Sequence, residues 1–258
     1  MTTTPPWDPT GYLHYADERS RPFTELLARI PGEPATIADL GCGPGHLSRL
    51  LLARWPGAHI DAIDSSAEMI HRARAEHQLP GVHYHLADVG TWRPSAPVDL
   101  LVSNATFQWV PGHLELLAEL ADQVAPQGTL AFSVPGNFGE PNHQLLRSMA
   151  ARAPYAEHTA GVVYPGSYDP QTYLAVLAGL GWQVDAWETT YQHVLTGPDP
   201  VLRWISATGA RPVLSALPPD LLKQFRSEYG AALRQAYPQQ SYGTVLPFRR
   251  VFVVARRA

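Results

Sequence analysis

The sequence has very little lysine, one cysteine and no long apolar run. Lys223 is the only lysine among 19 lysine and arginine residues, and the formal net charge is -4. Because phosphate binding usually requires a basic face, this charge balance disfavours nucleic acid as a partner. Arginine therefore carries almost all of the positive charge, and its planar, permanently charged guanidinium suits carboxylate ligands.

The single cysteine and the missing apolar run also bear on the compartment. Cys42 cannot form a disulfide within the chain, so the cytoplasm is the expected location. No stretch approaches the length of a membrane span, and no membrane partner is expected. The Pro-rich residues 1–9 lack the positive flank and the apolar segment of a signal peptide. The sequence leaves the oligomeric state open, with a monomer among the options.

Between about residues 34 and 135, short apolar runs alternate with amphipathic segments that are typical of helices. This alternation predicts βαβ units, a mostly parallel sheet and helices on both of its faces. The predicted strands are Ala35–Leu40, His59–Ile63, Val82–Leu86, Val98–Ser103 and Leu130–Val134. Two helices are indicated by apolar spacing, at Leu47, Leu50, Leu51 and Arg54, and at Leu114, Leu117, Leu120, Ala121 and Val124.

After residue 135 the sequence becomes mainly helical, with proline and glycine between the segments. Two more strands, Gln183–Leu195 and Arg250–Ala255, are expected to close a seven-stranded sheet as an antiparallel edge pair. The predicted helices are Asn142–Ala153, Asp169–Ala178, Asp199–Thr208 and Pro218–Tyr237. We expect three regions: an N-terminal cap and substrate segment (1–33), a cofactor-binding core (34–135), and helical cap insertions plus the closing strands (136–258).

The strongest local motif is the loop from Asp39 to Gly45, which follows the first predicted strand. Its glycines alternate, at 41, 43 and 45, and allow a ligand to approach the backbone closely. A dinucleotide fingerprint requires glycine where this sequence has His46, so a nicotinamide dehydrogenase is disfavoured. Asp39 would repel a diphosphate, whereas it would attract the sulfonium and amino group of S-adenosylmethionine.

Two further acids follow the next two predicted strands. Asp64 ends the second strand and can accept both hydroxyls of a ribose. Asp88 follows the third strand, where it can accept a hydrogen bond from the exocyclic amine of adenine or cap a turn. Ser65 and Glu68 have the spacing of a capping box, which explains Ser65 as the start of a helix. Three acids that end successive parallel strands are expected at one edge of the sheet.

These motifs and the segment Ser103–Trp109 resemble the class I S-adenosylmethionine methyltransferases over residues 35–135. The resemblance implies a Rossmann-like α/β fold, S-adenosylmethionine as the cofactor, S-adenosylhomocysteine as its product, and no metal. In that family the glycine loop wraps the methionine part, the second-strand acid holds the ribose and the third-strand acid meets adenine. The implied cofactor-binding residues are Asp39, Gly41, Cys42, Gly43, Asp64, Ser65, Met69, Asp88, Val89, Asn104 and Ala105.

The acceptor has to be inferred from sequence outside that core. Four tracts resemble the bacterial trans-aconitate 2-methyltransferase family: Trp7–Pro22, Trp187–His193, Trp204–Pro212 and Phe248–Arg257. This resemblance implies methyl transfer to a carboxylate of trans-aconitate, which gives a monomethyl ester. Because a carboxylate is already ionised at neutral pH, no catalytic acid or base is required. Asn104, Gln108 and Trp109 are instead expected to position the reacting groups.

A small tricarboxylate substrate requires cations, preferably the bidentate fork of arginine. We therefore expect a substrate pocket that draws on arginine and aromatic residues outside the sheet, although surface salt bridges and packing explain each of them as well. The candidates are Tyr12, Arg19, Arg21, Trp109, Tyr164, Arg211 and Arg249, with Arg250 as an alternative to Arg249. His83 and His85 share one face of a strand, but no third ligand is apparent, so a metal site is disfavoured.

Two other interpretations remain open. One is a carboxyl O-methyltransferase that acts on another small acid or on malonyl carrier protein. The carrier-protein family also has Gln-Trp after the fourth strand, so Gln108 and Trp109 do not discriminate. A carrier-protein enzyme should present a basic docking face, which this acidic chain does not indicate. A non-catalytic S-adenosylmethionine-binding protein is also compatible, because carboxyl methylation leaves no nucleophile or base to find. The tracts Tyr12–Pro22 and Trp204–Pro212 favour trans-aconitate.

Overall fold

A computed structural model describes residues 16–257, apart from the side chains of Ala16, Asp17 and Arg19. The described chain divides into two compact units. Residues 16–135, 167–189 and 250–257 form the first, which we call the sheet unit, and residues 136–166 and 190–249 form the second, the helical unit. None of the helices in this described range is long and apolar enough to cross a membrane.

The strands form one sheet in the order β3-β2-β1-β4-β5-β8-β6, with β7 paired to β8. Neighbouring strands from β1 to β5 are parallel, and β8 runs antiparallel to β5. This is the mostly parallel α/β sheet that the strand and helix pattern predicts. The strands are β1 (Thr36–Leu40), β2 (His59–Asp64), β3 (Val82–Leu86), β4 (Val98–Asn104), β5 (Val124–Pro135), β6 (Gln183–Leu195), β7 (Gln239–Gln240) and β8 (Gly243–Arg256).

Helices of the sheet unit pack around buried central strands. Residues 100–104 of β4 and 129–134 of β5 are all buried, as expected for strands covered on both faces. Side chains of α4 and α7, including Leu117 and Leu177, share one core with them. The helices are α1 (Ala16–Arg29), α2 (Ser48–Arg54), α3 (Ala67–Glu76), α4 (His113–Ala121) and α7 (Pro170–Gly179), with a 3-10 turn at Phe107–Trp109.

The helical unit has its own core of large side chains, among them Trp204, Phe225 and Tyr229. Two buried tyrosines of this core pair with one residue: the Tyr229 hydroxyl donates to the carbonyl of Asn142 at 2.7 Å, and the Tyr237 hydroxyl contacts the side-chain amide of Asn142. Proline stands in the first turn of most of its helices, where the missing N–H costs little. The helices are α5 (Pro141–Ala150), α6 (Ala156–Thr159), α8 (Pro200–Ser206), α9 (Arg211–Ala216) and α10 (Pro219–Ala236).

Several element boundaries differ from the sequence predictions. β5 begins at Val124, which was assigned to the preceding helix, because the strand continues through a register shift beside Val98 and Leu100. Within β5, Gln127 adopts a left-handed φ of 63°, a backbone conformation that is typical of turns rather than of strands. β8 begins at Gly243 rather than Arg250, and α1, α6 and α9 had no clear sequence signal.

Candidate functional site

The carboxyl ends of β1, β2 and β3 lie at one edge of the sheet. The parallel register pairs Leu40 with Ile63 and Asp64 with Leu86, so these three strands end side by side. Asp39 lies one residue before the end of β1, and Asp88 follows β3 after a single intervening residue. The structure thus brings the three predicted acids to the same edge, as the topology requires.

The glycine loop is hydrogen-bonded to the end of β2. The Gly41 and Cys42 N–H groups donate to the Ile63 carbonyl at 2.7 and 2.9 Å, and the Gly43 N–H donates to Oδ2 of Asp64 at 2.9 Å. Gly43 has a φ of +57°, and a Cβ built there would meet nothing within 4 Å. The loop therefore presents bare backbone to open space, as a ligand-binding glycine loop requires.

Gly41, unlike Gly43, has no room for a side chain. Its φ is +83°, and a Cβ built there would lie 1.9 Å from Oγ1 of Thr106. The Thr106 hydroxyl in turn lies 3.5 Å from the Gly41 carbonyl, to which it donates. The segment after β4 is therefore packed directly on the glycine loop, a contact that sequence reasoning missed because the two residues are far apart in the chain.

Asp39 is a buried carboxyl, with only 3% of its surface exposed. Burial, with a contribution from the nearby Asp64, raises its pKa from 3.8 to about 7. A cation bound beside this carboxyl would favour its charged form and offset the cost of burial. The buried Asp39 carboxyl thus fits the positively charged part of S-adenosylmethionine.

Asp64 combines burial with several backbone hydrogen bonds. Burial raises its pKa, and the N–H groups of Ser66, Gly43 and Ser65 oppose that rise. Oδ2 accepts from Gly43, and Oδ1 accepts from Ser66 at 2.8 Å. A carboxylate has about four acceptor positions, so Asp64 keeps acceptor capacity for a ribose hydroxyl beside these three N–H groups.

The expected capping box at Ser65 is wrong, because Ser66 caps α3. Ser66 has the extended backbone of an N-cap residue, and its Oγ accepts from the Met69 N–H at 3.3 Å. The Ser66 hydroxyl donates to Glu68 at 3.0 Å. Ser65 is exposed, and its N–H turns towards Asp64 instead.

Asp88 and the residues around it form a turn after β3. Oδ1 of Asp88 accepts from the Gly90 N–H at 2.7 Å, so this residue does cap a turn. The carboxylate is exposed and keeps acceptor positions, so the turn role and contact with an amine are compatible. Val89 and Met69, which the family resemblance assigns to the cofactor, are both buried in the sheet unit.

The segment after β4 has a fixed and unusual backbone. Ser133 donates its hydroxyl to Oδ1 of Asn104 at 2.6 Å, and Ala105 takes a left-handed φ of 59°. Gln108 donates through Nε2 to the Ala105 carbonyl, while its Oε1 is buried without a partner among residues 16–257. Trp109 is half-buried in the 3-10 turn. An unsatisfied buried acceptor in the segment after β4 suits a ligand that donates a hydrogen bond.

Cys42 and the strand histidines carry no reactive or metal-binding arrangement in the described chain. Burial, Asp39 and Asp64 raise the Cys42 pKa, so its place in the loop does not activate the thiol. Nε2 of His85 lies 2.7 Å from Oδ1 of Asp61, and the ring of His83 packs against that of His59. Within residues 16–257 no group of three or more His, Cys, Asp or Glu side chains is placed to hold a metal ion.

The predicted substrate residues are distributed over both units. Arg21 is exposed on α1 of the sheet unit, whereas Tyr164, Arg211 and Arg249 belong to the helical unit. Burial lowers the pKa of Arg211 to about 10. Arg249 donates through Nη1 to the Gly136 carbonyl at 3.0 Å. Two further candidates, Tyr12 and the side chain of Arg19, lie outside the described residues.

Gly43 offers a direct test of the open space before the loop. Gly43→Ala is expected to lower the free energy of unfolding by only about 1–2 kcal/mol, the cost of its left-handed φ. The added methyl should nevertheless weaken S-adenosylmethionine binding about tenfold or more, because it occupies the ligand's side of the loop. Calorimetric titration and thermal unfolding measure the two effects. Gly181→Ala, at a φ of +83° with equally open surroundings, is the matched control and should change stability alone.

The sequence and the fold are similar to those of known methyltransferases. A methyltransferase-domain family model matches residues 12–186. The chain is 49% identical to trans-aconitate 2-methyltransferase of Streptomyces avermitilis over 98% of this chain and 97% of that protein. It is 51% identical to the Streptomyces coelicolor enzyme of that name, over 99% and 88% respectively. An S-adenosylmethionine-dependent methyltransferase from Mesorhizobium loti shares the fold, with a TM-score of 0.54 and 20% identity over 94% of this chain and 99% of that one.

Proposed function

Because the chain belongs to the trans-aconitate 2-methyltransferase family of S-adenosylmethionine-dependent methyltransferases, we propose that it methylates a carboxylate of trans-aconitate. The products would be the monomethyl ester and S-adenosylhomocysteine. The observation that carries the proposal is the near full-length identity of 49–51% to enzymes of that name. The buried Asp39 and the open Gly43 backbone support the cofactor half of the reaction.

The proposed chemistry requires alignment and no proton transfer. The cofactor supplies a methyl on a sulfonium, so a carboxylate oxygen forms the new O–C bond while the C–S electron pair leaves on sulfur and both charges are neutralised. Because the acid is ionised at neutral pH, no side chain has to remove a proton. Asn104, Gln108 and Trp109, held by the rigid segment after β4, would position the reacting groups. Such alignment can supply roughly 7–11 kcal/mol.

The cofactor-binding assignment follows the same edge of the sheet. We propose that Asp39 faces the positive charge of the methionine part and that Asp64 accepts hydrogen bonds from the ribose hydroxyls with its remaining acceptor capacity. Asp88 would accept a hydrogen bond from the exocyclic amine of adenine. The other proposed contacts are Gly41, Cys42, Gly43, Ser65, Met69, Val89, Asn104 and Ala105.

The acid substrate is proposed to bind through arginine. Arg211 supports this assignment, because a buried guanidinium is stabilised by an anionic ligand. Tyr164, Arg249, Arg21 and Trp109 are each proposed as further contacts from the family resemblance, and Tyr12 and Arg19 stay predictions from the sequence. We also propose the cytoplasm as the location, since Cys42 is a free, buried thiol.

The test is methyl transfer from labelled S-adenosylmethionine to a panel of acids. The panel contains trans-aconitate, other tricarboxylates, dicarboxylates and malonyl carrier protein. We expect label in a base-labile ester of trans-aconitate, with kcat/KM at least about tenfold above that for any other acid. Transfer only to the carrier protein would move the chain to the other carboxyl methyltransferase group. Cofactor binding without transfer to any acid would make it a non-catalytic binding protein.

A further inference from the structure

Four polar residues of the helical unit are linked, directly or through Phe138, in a way that the sequence did not indicate. Asn137 lies in the loop after β5, His143 and Arg147 lie on α5, and Tyr164 follows α6. We call these four residues the 137–164 cluster. All of them are buried or half-buried. A polar group of this kind inside a small unit requires a physical reason.

One hydrogen bond and two charge effects link Arg147 to its neighbours in the cluster. His143 and Arg147 are four residues apart on one helix and therefore share a face. The charge of Arg147 acts on the pKa of both His143 and Tyr164. Nη2 of Arg147 donates to the Phe138 carbonyl at 2.9 Å, beside Asn137 in the chain, and the Phe138 ring packs edge-on against His143 at 5.0 Å.

Asn137 shows that the cluster is incomplete without a ligand or water. Only 2% of this residue is exposed. Neither Oδ1 nor Nδ2 of its side chain has a hydrogen-bond partner among the residues that the structure describes. Buried amides are almost always hydrogen-bonded in folded proteins, so this amide indicates a polar group that binds next to it.

The cluster offers donors and one positive charge. Burial, and secondarily Arg147, lowers the pKa of His143 to about 4, so its ring is neutral at physiological pH. Burial raises the pKa of Tyr164, which keeps its hydroxyl protonated and able to donate. The Arg147 guanidinium has further donors besides the one that contacts Phe138. One guanidinium with neutral N–H and O–H donors is the environment that binds a carboxylate.

The neighbourhood also brings a second arginine close in sequence to the cluster. A Cβ built on Gly209 would lie 2.6 Å from Cε1 of His143, so the chain passes directly against that ring. Arg211, itself largely buried, begins α9 two residues later. The tract from Trp204 to Pro212, which resembles the trans-aconitate family, therefore reaches the cluster through Gly209.

We propose that the 137–164 cluster binds a carboxylate of the acid substrate. The inference rests on the proposed function for the identity of the acid, but the cluster defines its own ligand class, a compound that carries a carboxylate. Arg147 is the specificity-determining residue in this proposal.

Arg147→Gln tests the proposal against a matched control. We expect the KM for trans-aconitate to rise about 10- to 100-fold, since a charge-assisted hydrogen bond to carboxylate is lost. The KM for S-adenosylmethionine should stay within about twofold. Arg152→Gln removes the same charge from an exposed arginine beyond α5, whose Nε donates to the Ser148 carbonyl at 3.0 Å, and should leave both constants unchanged. An unchanged KM for trans-aconitate in Arg147→Gln, or equal losses for both substrates, would overturn the proposal.

Asn137→Leu separates ligand binding from a structural role. Because the amide makes no hydrogen bond within the described protein, the apolar isostere should unfold at the same or a higher temperature than the wild type. The KM for trans-aconitate should still rise about tenfold. A variant that is as stable as the wild type and keeps its KM would show that this amide does not meet the substrate, and would count against the cluster.

Direct binding distinguishes failure of this inference from failure of the proposed reaction. Calorimetry with trans-aconitate and S-adenosylhomocysteine measures acid binding without turnover. If the wild type binds the acid but transfers no methyl, the proposed reaction is wrong, and the cluster is supported only if Arg147→Gln loses that binding. If the wild type transfers methyl and Arg147→Gln binds the acid normally, the cluster proposal alone is wrong. If the wild type does not bind the acid, both are wrong.

Discussion

Gly41→Ala is expected to lower the free energy of unfolding by about 2–5 kcal/mol and to remove most S-adenosylmethionine binding. The left-handed φ of +83° contributes about 1–2 kcal/mol, and overpacking typically adds about 1–3 kcal/mol. Here the new methyl would lie 1.9 Å from Oγ1 of Thr106, so loop and segment must separate. Chemical denaturation measures the stability, and calorimetric titration with the cofactor measures the affinity.

Gly32→Ala is the control for backbone strain alone. Its φ of +79° is close to that of Gly41, but a Cβ there meets nothing within 4 Å. The difference between the two variants therefore isolates the steric contact with Thr106. Equal stability losses in the two variants would contradict the close approach of Thr106 to the glycine loop. Adding Thr106→Gly to Gly41→Ala should recover part of the loss, because all three nearest atoms belong to that side chain.

The cofactor edge could be predicted from the sequence because local rules determine it. Alternating apolar runs and helices indicate parallel strands. Parallel strands place Asp39, Asp64 and Asp88 at one edge of the sheet, even where the exact strand bounds are not known. The bounds of β3 and β6 agree with the prediction for the same reason, since turn residues flank each apolar run. The family match confirms the methyltransferase fold and its cofactor.

Features that depend on three-dimensional packing could not be predicted. Ser65 and Ser66 both suit an N-cap, and only the backbone path set by Asp64 decides for Ser66. Thr106 meets Gly41 across the sheet edge, and no periodicity indicates that contact. The 137–164 cluster is assembled from a loop, a helix face and a later segment, and a single sequence carries no signal for such a group. Ser133 is an exception, because a polar residue in a buried strand does indicate a partner, here Asn104.

Asp39→Asn is expected to make the free protein more stable and its cofactor binding weaker. The folded-state pKa of about 7 lies above the ordinary aspartate value of 3.8, so folding favours the protonated carboxyl. The unfolding free energy of the wild type therefore loses up to about 4 kcal/mol from this group as the pH rises from about 4 to 7. The amide cannot ionise, so the variant should exceed the wild type at pH 8 and match it near pH 4. Denaturation at both values measures this, with the exposed Asp122→Asn as a control that should change neither.

Cofactor affinity should show the opposite dependence on the same carboxyl. A cationic ligand binds the ionised form of Asp39, so wild-type affinity for S-adenosylmethionine should rise about tenfold between pH 6 and pH 8. Asp39→Asn should flatten that rise and weaken binding at pH 8 by at least about tenfold, since one partner of a buried charge pair is removed. Titration with S-adenosylhomocysteine, which has the amino group but no sulfonium, assigns the effect to one of the two cations. The opposite result would be an Asp39→Asn protein that is less stable than the wild type at pH 8 and binds the cofactor equally well. It would show that Asp39 stabilises the fold. Any loss of wild-type stability at high pH would then have to come from another carboxyl group. The joint outcome expected here, a stabilised protein with a weakened cofactor site, identifies a buried charge that is retained for binding at the expense of the fold.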